Sequence, residues 1–184
     1  LIHDNPNGYS DAEIRLLDTG SVDVINESRT FDLNGSYSGA SQIRDQLTTG
    51  EAGIDGIPYV TSAGNNGSGA QRGAQWNFYS LNKQTKNPLL VANLNSSGAV
   101  SPGSALGPFH DNRIGPTISA MGTGIRSTAI DGSGNYFYTN YSGTSMSAPM
   151  VTGAIPLILQ AYQDNYLTQY GYQLDDHRPV AALA

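Results

Sequence analysis

An α/β domain with a mostly parallel sheet flanked by helices is the fold class this chain predicts, and three observations predict it. A strand-like stretch, a short amphipathic helix and a second strand follow one another between residues 22 and 63, and such βαβ units are right-handed with parallel strands and sites at the strands' carboxyl ends. A further apolar strand follows at residues 87–92. Beyond it, a Gly- and Pro-flanked turn at residues 143–149 runs into an apolar stretch, Met150 to Leu159, long enough for a core helix.

Composition bounds the function before any motif is read. A chain of 184 residues can bury one real core, and a hydrophobic content of 38% is compatible with that. Charged residues make up 13%, about half the usual share. The net charge of −6, with no basic run, argues against nucleic acid or an anionic membrane as partner. Without cysteine there is no disulfide, zinc-thiolate or thiol chemistry, and no apolar run is long enough to span a bilayer. The chain opens at Leu1 with neither a methionine nor a signal-peptide pattern, so we expect a processed or cut piece.

The elements are justified in order. Residues 1–10 read as an irregular leading segment containing His3. A short strand, Glu13 to Leu17, ends at Asp18-Thr19-Gly20. That tripeptide is also the signature of aspartic peptidases, but their chemistry needs two carboxylates sharing a proton and no second copy exists, so a glycine turn is the reading retained. Val22 to Ser28 is β-branched and apolar enough for a buried central strand. Ser41 to Thr49 places Ile43 and Leu47 four apart, a short amphipathic helix closing at Gly50. Pro58 to Ala63 is the next strand and runs into Gly64-Asn65-Asn66-Gly67, a turn sequence. Trp76, Phe78 and Tyr79 belong to a packed loop or a pocket floor, packing being preferred.

Asn87 to Ala92 gives a strand, and residues 96–116, with His110, a long Ser/Gly/Pro-rich loop. A strand and turn follow from Pro116 to Thr128, and Tyr136 to Tyr141 is aromatic and β-forming. In Gly143-Thr144-Ser145-Met146-Ser147-Ala148-Pro149, Gly143 suits a tight turn, and Pro149 is expected near the helix start, where a missing N–H has no intrahelical partner to lose. Ser145 then lies at a helix mouth, where unpaired N–H groups and the macrodipole favour a developing negative charge; for an isolated serine the alternative is a plain N-cap. Within the helix, Gly153 is expected to permit close packing and Pro156 to kink it by removing the bond to Thr152. Residues 175–184 resemble a known family's short carboxy-terminal helix, which implies that His177 lies solvated in its first turn.

The heptapeptide closely resembles the nucleophile motif of the subtilisin-like serine peptidases, Gly-Thr-Ser-Met-(Ala/Ser)-x-Pro. Ser62-Ala63-Gly64-Asn65-Asn66-Gly67 resembles that family's Ala-Ala-Gly-Asn-Glu-Gly oxyanion motif, in the right order along the chain. Val22 to Ser28 resembles its Asp-Val-Ile-Asn-Met-Ser-Leu-Gly strand, with Arg29-Thr30-Phe31 departing from Leu-Gly-Gly. The resemblance implies a partial three-layer subtilisin-like fold, with residues 1–184 forming the C-terminal portion of a catalytic domain. It implies Ser145 as nucleophile, Asn65 as an oxyanion donor, and Ser28, Arg29, Thr30, Ser62, Ala63 and Gly64 as the substrate-binding wall. It further implies a peptide or protein substrate held partly by β-augmentation, and a secreted location. No cofactor is expected; structural calcium, common in the family, cannot be assigned because Asp and Asn follow no ligand pattern here.

What the resemblance lacks matters to the chemistry. In the family the aspartate and histidine motifs precede the Val-Ile-Asn strand, and a serine hydroxyl is a weak nucleophile until an imidazole, oriented by a carboxylate, takes its proton. His3, His110 and His177 carry no such motif, and Asp18-Thr19-Gly20, which resembles the family's aspartate motif, is followed by no His-Gly-Thr type motif. The expectation is therefore a serine endopeptidase whose Asp and His come from a companion chain or a preceding segment. The alternative is a non-catalytic peptide-binding or structural remnant. A third class, a lectin-like polar module, predicts mostly strands and no buried helix after Ser145.

Overall fold

The computed structural model describes residues 22–29, 37–51, 56–67, 83–109 and 111–172. Four parallel strands, β1 (Ile25–Glu27), β2 (Tyr59–Ser62), β3 (Leu89–Leu94) and β4 (Ile118–Met121), lie side by side in sequence order. Helix α1 (Gly39–Thr49) connects β1 to β2 and covers one face of the sheet, where Leu47 and Ile43 pack with Tyr59 and Ile25. Helix α2 (Thr144–Tyr162) covers the other, its Ala148, Ile155 and Leu159 packing against Val60, Leu89 and Val91. Alternation along β2 explains the layering: Tyr59 faces α1 and Val60 faces α2, because successive strand side chains point to opposite faces. The predicted α/β architecture is thus present, and the buried helix after Ser145 excludes the lectin-like alternative.

Several boundaries differ from expectation for local reasons. The strand expected over Val22 to Ser28 is confined to Ile25–Glu27. Its register with β2 begins at Ile25↔Tyr59, and the residue before Tyr59 is Pro58, which accepts from the Ile25 N–H but has no N–H to extend the ladder. β3 runs two residues beyond the expected Ala92, to Leu94, because β4 pairs with it up to Leu94↔Met121. After β4 the chain turns at Gly122–Gly124 and forms an antiparallel hairpin, β5 (Ile125–Ile130) with β6 (Tyr136–Tyr141). Asp131 closes its turn by accepting from the Ser133 and Asn135 N–H groups, both at 2.9 Å.

Helix α1 ends as read, on Gly50 with φ 84°, and Ser38 caps its start. Helix α2 departs from two expectations. It is assigned as one helix through Pro156 and passes into a π-helical turn at Gln163–Leu167. Gly153 is not at a close contact among the described residues: a Cβ built there meets no described atom within 4 Å. And because the helix begins at Thr144, Pro149 sits in its second turn, where its missing N–H does release a carbonyl, that of Ser145. The expected elements at Glu13 to Leu17 and at residues 175–184, the Asp18-Thr19-Gly20 turn, and Thr30, Trp76, Phe78, Tyr79 and all three histidines lie outside the described residues.

Candidate functional site

Parallel strands in sequence order deliver the ends of β1 and β2 to one edge of the sheet, and α2 starts against that edge. Gly143, buried with φ 149° and ψ 170°, is the residue before the helix, a backbone conformation that side chains rarely adopt. A Cβ there would lie 3.1 Å from Asn65 Oδ1 and 3.2 Å from Asn65 Nδ2, so glycine also admits the carboxamide. Residues some eighty positions apart thereby meet at the helix mouth.

Asn65 is held in one orientation. Its Oδ1 accepts from the Thr144 N–H at 2.9 Å and from the Thr144 hydroxyl at 3.0 Å, while that hydroxyl oxygen accepts from the Gly64 N–H at 3.0 Å. An N–H donor at Thr144 can only face the carbonyl end of an amide, so the Nδ2 end is turned the other way, where it meets no acceptor among the described residues. The Ser145 N–H, second in the helix, likewise has no acceptor among them. Asn65 Nδ2 and the Ser145 N–H are thus two donors with no acceptor among the described residues, and Ser145 itself is half-buried.

Ser28, just past β1, is tied to Ser145 from the other side. The Ser145 hydroxyl donates to the Ser28 carbonyl at 3.2 Å, and the Ser28 hydroxyl donates to the Ser145 carbonyl at 3.1 Å, the carbonyl released by Pro149. Ser62, Ala63 and Gly64 extend from β2 along the same edge. All three are buried: Ala63 packs with Leu90, Ala105 and Phe109 and gives its N–H to the Val91 carbonyl at 3.0 Å, and Ser62 keeps its hydroxyl on Lys83 at the strand end. Arg29 is ion-paired to Glu27 at 2.6 Å.

Beneath this edge lies a buried charged cluster that the sequence did not announce. Glu27 accepts from Arg44 Nε and Nη2, from the Tyr59 hydroxyl and from Arg29 Nε, each at 2.6 Å. Burial pushes the Glu27 carboxyl up, but the hydrogen bonds and charge of Arg44, with Tyr59 and Arg29, outweigh it and hold the group below its ordinary range. Lys83, 1% exposed, donates to Thr61 Oγ1 at 2.5 Å and Ser62 Oγ at 2.9 Å. The signal available for Glu27 was an acidic residue within an apolar strand, where the resembled motif has methionine. On the far side, Asn93 Oδ1 accepts from Thr123 Oγ1 at 3.2 Å and from the buried Ser147 hydroxyl at 3.4 Å, bracing the first turn of α2. Thr144 lay inside the recognised heptapeptide, yet nothing in its spacing gave it the task of orienting Asn65. Among the described residues no three His, Asp or Glu are grouped to hold a metal ion.

The fold has counterparts among solved structures. The patellamide maturation protease PatA superposes with a TM-score of 0.61 at 18% identity, covering 94% of this chain and 54% of that one. The prenylagaramide maturation protease PagA gives 0.59 at 17%, covering 94% and 56%. A protease from Pseudoalteromonas arctica PAMC 21717 gives 0.54 at 25%, covering 76% and 39%. This chain spans about half the length of the first two or less, and its likeness to them is one of fold. Its sequence is more specific: residues 3–174 match the peptidase S8 family model, and the chain belongs to the subtilase family of serine peptidases.

Proposed function

We propose that this chain is the nucleophile-bearing half of a serine endopeptidase that hydrolyses peptide bonds through an acyl-enzyme. Ser145 attacks the scissile carbonyl, and the negative charge that develops on its oxygen is received by Asn65 Nδ2 and the Ser145 N–H. The observation that carries this reading is the clamp on Asn65: with Oδ1 committed to Thr144, the residue before Ser145, the donor end of the carboxamide is left without an acceptor among the described residues at the start of the helix. Donors fixed before the reaction need no reorganisation when charge appears, which makes them effective in a site partly shielded from water.

The proton acceptor comes from a companion chain or a preceding segment that carries the Asp and His of the triad. Two observations support a companion. The solved relatives are about twice as long as the matched region. On α2, Met150, Leu157 and Ile158 are exposed at positions i, i+7 and i+8, one face of a helix whose opposite side is core. A strip of that kind on a central helix marks a surface made to be covered. Extended substrate lies along the strand ends near Ser28, Arg29, Thr30 and Ser62 to Gly64, paired through main-chain groups, and the peptidase works outside the cell.

The test is fluorophosphonate labelling of the purified assembly, with mass spectrometry to place the adduct and identify any companion peptide. A single adduct on Ser145, dependent on a His-bearing companion, is the expected result. Absence of labelling in an assembly shown to contain that companion leaves the non-catalytic remnant in its place.

A further inference from the structure

The turn that carries Asn65 is pinned on both sides of one free residue. The Gly64 carbonyl accepts from the Ala105 N–H at 2.8 Å, and Asn65 is held by Thr144 through Oδ1. Two residues beyond Asn65, the Gly67 N–H donates to the Gly103 carbonyl at 3.1 Å. Between these anchors Asn66 is exposed and makes no hydrogen bond among the described residues.

Gly67 is fixed as glycine by its neighbours. A Cβ built there would fall on the Ser104 carbonyl oxygen and lie 3.0 Å from that of Pro102, so no larger residue fits without moving backbone. Asparagine followed by glycine is also the pair in which a side-chain amide is most open to the next residue's nitrogen, because no side chain there stands in the way. The packing that demands glycine thus leaves the exposed Asn66 carboxamide next to an unshielded nitrogen.

We propose that Asn66–Gly67 is a self-modification site, at which the Gly67 nitrogen attacks the Asn66 side-chain carbonyl carbon and the isoaspartyl linkage that results disables the neighbouring Asn65. A bond forms between that nitrogen and Cγ, the Cγ–Nδ2 bond breaks, and the proton lost from the nitrogen leaves with ammonia. Water then opens the cyclic imide at either carbonyl, its hydroxyl going to carbon and its proton to the nitrogen, to give an aspartyl or an isoaspartyl residue. The hydrogen bond from Gly67 to Gly103 has to open first, so it acts as the brake.

The isoaspartyl form routes the chain through Cβ and Cγ and so adds one backbone atom between residues 66 and 67. Gly67 has no room to move against Ser104, and Gly64 is tied to Ala105. The displacement therefore falls on Asn65 and its bonds to Thr144. The aspartyl form adds only charge, at a position where the resembled motif has glutamate. For its effect on Ser145 the inference rests on the peptidase reading, to which it adds a chemical limit on the lifetime of the site.

In the experiment the companion-containing assembly is incubated at mildly alkaline pH beside a sample unfolded in guanidinium. Peptide mapping reads the mass gain of one unit at residue 66, and methyl transfer from S-adenosylmethionine by an isoaspartyl methyltransferase reads the isoaspartyl share. Isoaspartate is expected to accumulate there, and the converted molecules to label with fluorophosphonate about 100-fold more slowly, the effect of a small displacement in a catalytic geometry, with a lowered denaturation midpoint. Asn66→Gln, whose longer side chain cyclises far more slowly, keeps the labelling rate of fresh parent through the same period. Fresh Asn66→Asp labels like the parent, which assigns the loss to the added backbone atom and not to charge. No conversion at residue 66 over a period several times that needed by the unfolded sample overturns the proposal, as do converted molecules with the midpoint and labelling of the parent. So does a fresh Asn66→Asp that labels as slowly as the converted molecules. If fresh parent never labels, the peptidase reading falls by itself, and the mass gain together with the midpoint still decides the modification.

Discussion

Ser28 and Ser145 exchange hydrogen bonds in both directions, hydroxyl to carbonyl at 3.1 Å and 3.2 Å, across 117 residues of sequence. One of the two bonds repairs a defect. Pro149 has no N–H to give the Ser145 carbonyl, and the Ser28 hydroxyl supplies the missing donor. The other bond holds the Ser145 hydroxyl proton on a peptide oxygen, so in the proposed reaction a base must compete for it before attack.

Ser28→Ala therefore removes the donor but leaves the parking carbonyl in place. An unsatisfied carbonyl in the first turn is expected to cost about 1–2 kcal/mol, read as a lowered denaturation midpoint, and to slow fluorophosphonate labelling of Ser145 severalfold. Ser28→Thr, which keeps the hydroxyl, should restore both. Equal midpoints for the parent and Ser28→Ala would show that the bond is not formed in solution.

Asn65 allows its two ends to be tested separately. In Asn65→Asp the Oδ1 atom still accepts from Thr144, but the donor at Nδ2 becomes an oxygen that repels a developing negative charge. The assembly should keep its denaturation midpoint above pH 6 while kcat falls at least about 100-fold, with little change in KM; this range is the one known for loss of the corresponding donor in subtilisin itself. Thr144→Val is the complement. It keeps Asn65 but removes one of its two anchors, so a smaller loss of kcat accompanied by a lower midpoint is expected.

Glu27 predicts a pH dependence of stability. Its carboxyl is held below its ordinary value of 4.5 in the folded chain, so the unfolded chain takes up a proton first as pH falls. The stabilisation is complete above about that ordinary value and is lost as pH drops through the lower folded one. Glu27→Gln strands the fully buried Arg44 without its carboxylate and should destabilise by about 3–5 kcal/mol at neutral pH. Urea denaturation from pH 7 down to pH 3 should show the gap between parent and variant closing in acid. A gap that stays constant with pH would mean Glu27 is not the titrating group.

Much of this was legible in the residues because the strands, the capped helix α1 and the helix-opening heptapeptide are local patterns. Periodicity gives Ile43 and Leu47 their face, and Gly50 closes the helix by adopting a conformation that glycine takes freely. What was not legible depends on contacts between distant segments. Pro149 looked harmless near a helix start, since the sequence does not say that the helix begins as early as Thr144. Gly153 looked like a packing glycine, and only the placement of α2 reveals open space around it. The cluster of Glu27, Arg44 and Lys83 draws on three separate segments, none of which signals the others. Asn93 falls just beyond the strand read at residues 87–92, and nothing in the sequence signals that Ser147 and Thr123 use it.

Gly122 is a residue where tertiary contact leaves no room for a side chain. It follows β4 against the turn that opens α2, its N–H bonded to the Leu94 carbonyl at 3.1 Å and its carbonyl accepting from the Gly143 N–H at 2.8 Å. A Cβ there would fall 2.1 Å from Ser147 Oγ, 2.6 Å from the Gly143 carbonyl oxygen and 2.8 Å from Asn93 Oδ1. The serine hydroxyl can rotate away; the Gly143 peptide cannot move without shifting the start of α2. Gly122→Ala is thus expected to destabilise by about 1–3 kcal/mol through overpacking, and to slow labelling of Ser145 by displacing the peptide two residues before it. Gly103→Ala supplies the control, because a Cβ at that position meets no described atom within 4 Å, and its midpoint should stay within about 0.5 kcal/mol of the parent. If both alanines behave alike in denaturation and labelling, the close passage of β4 under the helix mouth does not govern the geometry of Ser145.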